Sequence, residues 1–160
     1  AMDALVRMIA AREVSRQYLA IGHWRWPGEE MREVKAAIGR DPANRLRMAV
    51  VDLSRQPGKT AQTTFQCLDQ NDQACLVRCI LHTGRTHQIR VHMAHIGHPL
   101  VGDVLYGGQV AANLSRQALH AWRLALKHPM TGHPHVWTTP LPHDMGQALV
   151  LLGLRYNGSQ

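Results

Sequence analysis

Apolar residues recur along the chain at two spacings, and the change from one to the other outlines the fold. After Asp3, a residue suited to capping a helix, Leu5, Met8, Ile9 and Arg12 fall at helical intervals and predict a helix of about three turns. Residues 15–22 then read as a strand closed by Gly22. Pro27-Gly28 signals a turn, and Met31 to Ile38 returns as a second strand. Gly39-Arg40-Asp41-Pro42 breaks the chain before a third strand over Leu46 to Leu53, and Gln56-Pro57-Gly58-Lys59 turns it again. Thr60 to Leu68 and Ala74 to His82 are expected to pair across the polar loop Asp69 to Gln73.

After Gly84 the period changes from 2 to about 3.6, because Ile89, Val91, Met93 and Ile96 suit a helix that Gly97 ends and Pro99 keeps from continuing. Ala118 to Leu126 and His135 to Thr139 read as strands, and Met145 to Leu152 as a closing helix. The pattern predicts an α+β fold: a mixed, mainly antiparallel sheet with flanking helices.

No repeat, low-complexity tract or interdomain linker interrupts the 160 residues, and 45% of them are hydrophobic, so one domain over 1–160 is expected. The formal charge of +7, with eleven histidines able to add to it in acid, points to a polyanionic partner. Three cysteines (Cys67, Cys75, Cys79) and no evident signal peptide argue against a disulfide framework and for a reducing cytoplasm. Cys75 and Cys79 would share one strand face as buried thiols. No apolar run reaches the ~18 residues of a membrane span.

The candidate chemistry gathers at the expected strand-turn-helix. Arg85 follows Gly84 where the backbone can approach a ligand, and its guanidinium can pair in parallel with a carboxylate or phosphate. Arg90 would face away from Arg85 unless the helix starts late. Tyr18, a polar residue among apolar neighbours, could stack on a nucleobase or relay a proton. His92, His95 and His98 recur every three residues, yet Gly97 interrupts them and no glutamate completes an H-E-x-x-H pattern, so no metal is expected. Nucleophile elbow, phosphate loop and dinucleotide fingerprint are all missing from the sequence.

Gly84-Arg85-Thr86-His87-Gln88-Ile89-Arg90-Val91-His92, followed by Gly97-His98-Pro99-Leu100-Val101-Gly102-Asp103 and Tyr106-Gly107, closely resembles the third motif of the RluA-type pseudouridine synthases. Ser15-Arg16-Gln17-Tyr18-Leu19-Ala20 resembles that family's second motif, and Ile38-Gly39-Arg40-Asp41-Pro42 with Arg47-Met48 the segment after it. The resemblance implies isomerisation of selected uridines in structured RNA, ribosomal or transfer, to pseudouridine, without metal or organic cofactor and without an obligate protein partner. It implies that an aspartate starts the reaction at the ribose or the glycosidic bond, and that the uracil then turns and rejoins the sugar through carbon. Tyr18 would match the tyrosine that packs on the uracil, and Arg85 the arginine that pairs with the aspartate. Arg16, Lys59 and Arg90 would contact RNA or support the site, and Asp41 and Asp103 match positions with structural roles.

The family's first motif, His-Arg-Leu-Asp, does not occur, and the seven aspartates all lie in other contexts. The expectation is therefore an N-terminally truncated, partial pseudouridine synthase catalytic domain, inactive alone. A non-catalytic RNA-binding module on the same fold is the alternative, and a histidine-based metalloenzyme a third reading.

Overall fold

The computed structural model describes residues 14–127 and 131–157; the helix expected over residues 3–12 lies outside them. Strands β1 (Ser15–His23), β2 (Met31–Lys35), β5 (Gln62–Gln70), β6 (Ala74–Leu81), β7 (Leu119–Lys127) and β8 (Pro134–Thr138) form one sheet in the order β2-β5-β6-β1-β7-β8. A two-stranded sheet joins β3 (Ile38–Arg40) to β4 (Met48–Val50), and every pairing is antiparallel. Helix α1 covers Gln88–His95 and helix α2 His143–Leu152.

Strand parity sorts the core into two layers, since successive side chains leave opposite faces of a sheet. Ala20, Phe65, Cys75, Val77 and Cys79 face α1 and pack with its Ile89 and Met93. Ile21, Ala74 and Leu76 leave the other face and meet Met145, Ala148 and Leu149 of α2. Both faces of β1 and β6 are covered, which is why Leu19, Ala20 and Ile21 of β1 and Ala74, Cys75, Leu76 and Val77 of β6 are all apolar and buried. Cys75 and Cys79 do share a face, and burial pushes the Cys75 thiol up to about 12 and Cys79 well above its ordinary value. They are packing residues, not nucleophiles.

Three boundaries differ from the sequence pattern. The single strand expected over Met31 to Ile38 is two, because Ala36 and Ile38 donate their N–H groups to Ala61 and Lys59 and carry the chain from β2 to the small sheet. The expected break at Gly39-Arg40 is strand β3, and the turn begins at Asp41. There the Asp41 carboxylate accepts the Ala43 N–H and pairs with Arg47 at 2.6 Å. The strand expected over Leu46 to Leu53 shrinks to Met48–Val50. A short 3-10 turn, Val104–Tyr106, has no counterpart in the hydrophobic pattern.

Candidate active site

Tyr18 leaves β1 toward the α1 face and lines a cavity of about 300 Å3 together with Leu81, Arg85, His87, Gln88, Ile89, Arg90, Gln117 and Leu119. The two residues singled out for chemistry, Tyr18 and Arg85, thus meet in one pocket although 67 positions separate them. A second cavity of about 390 Å3, lined by Arg40, Lys59, Gly84, Arg85 and Thr86 among others, adjoins the first through Arg85.

The turn that presents Arg85 is built around Gln88. Its side-chain oxygen accepts from the Thr83 hydroxyl (2.8 Å) and the Arg85 N–H (2.9 Å), and its amide donates to the Gln62 carbonyl and the Thr63 hydroxyl (2.9 Å each). The network continues inward. The Thr63 hydroxyl meets His92 Nδ1 at 2.8 Å, and His92 Nε2 meets the Ala36 carbonyl at 2.9 Å. A carbonyl only accepts, so Nε2 carries the proton, Nδ1 accepts from Thr63, and every donor in the chain has one acceptor when His92 is neutral. Burial accordingly lowers the His92 pKa.

Because the Thr83 to Thr86 turn precedes it, the helix starts late, at Gln88, with His87 at its N-cap in the left-handed region (φ 56°). The late start brings Arg90 round to the same cavity as Arg85. Arg90 is nonetheless committed: its guanidinium pairs bidentately with Asp103 at 2.9 and 2.8 Å and lies 4.8 Å from the centre of the Tyr106 ring. Tyr106 in turn accepts the Met48 N–H, and its hydroxyl is hydrogen-bonded to His87 Nδ1 at 2.7 Å. The Arg90 side chain is thus tied to the loop that follows the helix.

Among the described residues the Arg85 side chain makes one hydrogen bond, its Nε donating to the Thr60 carbonyl at 2.8 Å. The guanidinium of Arg16 lies over Gly84, where an added Cβ would collide with it. Among the described residues neither Arg16 nor Arg85 forms an ion pair with a carboxylate. Arg85, without a carboxylate partner among the described residues, and the half-buried Tyr18 in one cavity make a pocket suited to an aromatic ring and an anion together. Lys59 stands apart from Tyr18, in the adjoining cavity.

The histidines do not converge. His92 is tied to Thr63 and Ala36, and His98 Nδ1 donates to the His23 carbonyl at 2.8 Å. Among the described residues no three His, Cys, Asp or Glu side chains are placed to hold a metal ion. No helix there is long and apolar enough to cross a membrane.

The sequence reading missed Gln88, His87 and Gln117 as pocket residues. Gln88 lies inside the quoted motif, where a polar residue on the apolar side of a short helix was the available signal.

The fold is an α+β domain whose nucleoside-sized cavity has Tyr18, Arg85 and Arg90 in its lining. Residues 1–95 match the family model for RNA pseudouridylate synthase, and the chain belongs to that family. Ribosomal large subunit pseudouridine synthase D of Nitrosomonas europaea is 45% identical over 153 residues, covering 91% of this chain and 43% of the relative. The protein of the same name from Escherichia coli is 39% identical over 167 residues, covering 95% and 49%. The chain therefore spans about half the length of the curated relatives it matches. Human RNA Pseudouridylate Synthase Domain Containing 1 superposes with a TM-score of 0.71 at 29% identity, over 86% of this chain and 59% of that one. Human RNA Pseudouridylate Synthase Domain Containing 4 shares the fold, with a TM-score of 0.76 at 22% identity, over 96% and 68%.

Proposed function

We propose that this chain supplies the uracil-stacking and RNA-positioning part of a pseudouridine synthase site, one that isomerises specific uridines in structured RNA. The observation that carries the reading is the meeting of Tyr18 and Arg85 in one cavity. A uridine must leave its stack to be worked on, and an aromatic face beside a cation receives the extruded base and its phosphate or sugar. Ribosomal RNA is the favoured substrate, because relatives carry large-subunit names. A cytoplasmic location goes with that substrate.

In this reading Tyr18 packs on the uracil, and Arg85 pairs with the carboxylate that opens the glycosidic bond. Arg16 and Lys59 meet RNA phosphates, and Arg90 braces the turn. The carboxylate in question belongs to the family's His-Arg-Leu-Asp motif, which these 160 residues do not contain. The 160-residue chain by itself is therefore expected to bind structured RNA and to form no detectable pseudouridine. Pseudouridine-specific chemical mapping of ribosomal RNA incubated with the chain checks this, and turnover matching that of an intact relative would overturn it. RNA binding without turnover, even when a segment bearing His-Arg-Leu-Asp is supplied, would favour the non-catalytic RNA-binding module.

Arg85→Ala is expected to weaken RNA binding about 10- to 100-fold at fixed salt, the range for losing a charge-assisted pair. Unchanged affinity would remove Arg85 from the site.

A further inference from the structure

The outer strand β8 is exposed along its whole length, and it carries an aromatic side chain that the pocket does not use. Trp137 is 51% exposed, and its ring lies against that of His135 with centroids 5.6 Å apart and planes inclined by only 14°. Register places this pair relative to the site. Tyr18 and Arg16 leave the same face of β1, Arg16 is opposite Leu124 of β7, and Leu124 is opposite Trp137 of β8. Residues directly opposite one another in a sheet point to the same side. Trp137, His135 and the 38% exposed Leu124 therefore share the face that carries Arg16 and Tyr18, with Trp137 two strand spacings, ~10 Å, from Arg16.

Charge favours one kind of occupant. Arg16 leaves this same face and Arg85 lies in the adjoining pocket, while from Val104 to His143 the chain has no Asp or Glu. Among the described residues Arg16 and Arg85 form no ion pair, whereas Arg123 and Lys127, opposite Thr138 and Pro134, leave the other face of the sheet. An apolar protein partner gains nothing from forty residues without a carboxylate, whereas a polyanion does.

Resting on the reading of the pocket as a uridine site, we infer that Trp137, backed by His135, is a stacking platform for an unpaired nucleobase flanking the target uridine. Every base has a π-face, so such a platform adds affinity and sets the path of the strand without reading its sequence. Loop nucleotides leaving the pocket past Arg16 would cross Leu124 and end against the indole.

The test uses the whole chain and a fluorescein-labelled RNA hairpin with a uridine-containing loop, with anisotropy titrations at several salt concentrations. Trp137→Ala is expected to weaken binding ~10-fold with the salt slope unchanged, because the indole is neutral, and Trp137→Phe to stay within ~2-fold of the parent. Equal affinity of Trp137→Ala and the parent, with Arg85→Ala still weakened, would overturn the platform and leave the pocket reading standing. Failure of the parent chain to bind the hairpin would overturn both. A dimer in sedimentation that Trp137→Ala dissolves without change in RNA affinity would likewise overturn the platform and assign the strand to a second copy of this chain.

Discussion

Asp103→Ala is expected to cost about 3 kcal/mol of folding stability, the low end of the range for leaving a buried charge without its partner. The Asp103 side chain is 1% exposed and that of Arg90 13%, so the guanidinium left behind could recover little hydration. Both of its bonds to the carboxylate, at 2.9 and 2.8 Å, would be lost at once. The damage would also spread. Arg90 lies over the Tyr106 ring, and the Tyr106 hydroxyl joins the Met48 N–H to His87, the left-handed residue that starts α1. Urea unfolding of the parent, Asp103→Ala, and the double variant Arg90→Met with Asp103→Leu checks the cause. The double variant is expected to be more stable than Asp103→Ala alone, because it removes the orphaned charge as well as the pair. A loss below about 1 kcal/mol in Asp103→Ala would mean that the pair behaves as a solvated surface contact.

Much of this arrangement is legible along the chain wherever one residue type has a strong local meaning. Period-2 alternation marks β5, whose residues 62–67 alternate between half-buried and buried, and a polar loop marks its hairpin with β6. Tyr18 could be picked out because a polar ring in an apolar strand must face either solvent or a site. The β2 to β3 break was invisible, since Ala36-Ala37 carries no turn signal and the kink is imposed by hydrogen bonds to Ala61 and Lys59, far along the chain. The late start of α1 escaped for a related reason. Gln88 holds the preceding turn through bonds to Thr83 and Arg85 and also to Gln62 and Thr63, partners that only the folded sheet brings near. Arg90 shows the same limit in the site itself. Its position in the motif suggested RNA contact as readily as support, and its contacts with Asp103 and Tyr106, brought in by the following loop, could not be read from the motif.

Acid is expected to destabilise the protein in the range where histidines ordinarily titrate, and to do so through the site. His92 is fully buried, and burial lowers its folded pKa, as burial also does for His23 and His87. In the unfolded chain these groups take up protons near pH 6.5. Above that value both states hold them neutral, and the stabilisation is fully present. As pH falls below it the unfolded state binds protons that the folded state refuses, so stability declines until the lowered folded values are passed. Each such histidine can add a slope of up to about 1.4 kcal/mol per pH unit within its own window.

For His92 the refusal has a structural meaning. A proton on Nδ1 would face the Thr63 hydroxyl, whose own proton then has no acceptor while its oxygen already receives the Gln88 amide. Gln88 is what fixes the Arg85 turn, so protonation would loosen the arginine that faces the pocket before the sheet itself gives way. Urea melts at pH 7.5, 6.5 and 5.5 should show a small fall between the first two, about 0.4 kcal/mol per histidine, and a steeper one at the third, with the fall reduced in His92→Gln, which has no titratable ring. RNA affinity at fixed salt, followed over the same range, separates the two effects. Protonated surface histidines should strengthen binding in acid, and a loosened Arg85 turn should weaken it in the parent more than in His92→Gln. Equal stability at pH 7.5 and 5.5, or an identical decline in His92→Gln, would show that the Thr63-His92 contact is not what makes the fold acid-sensitive.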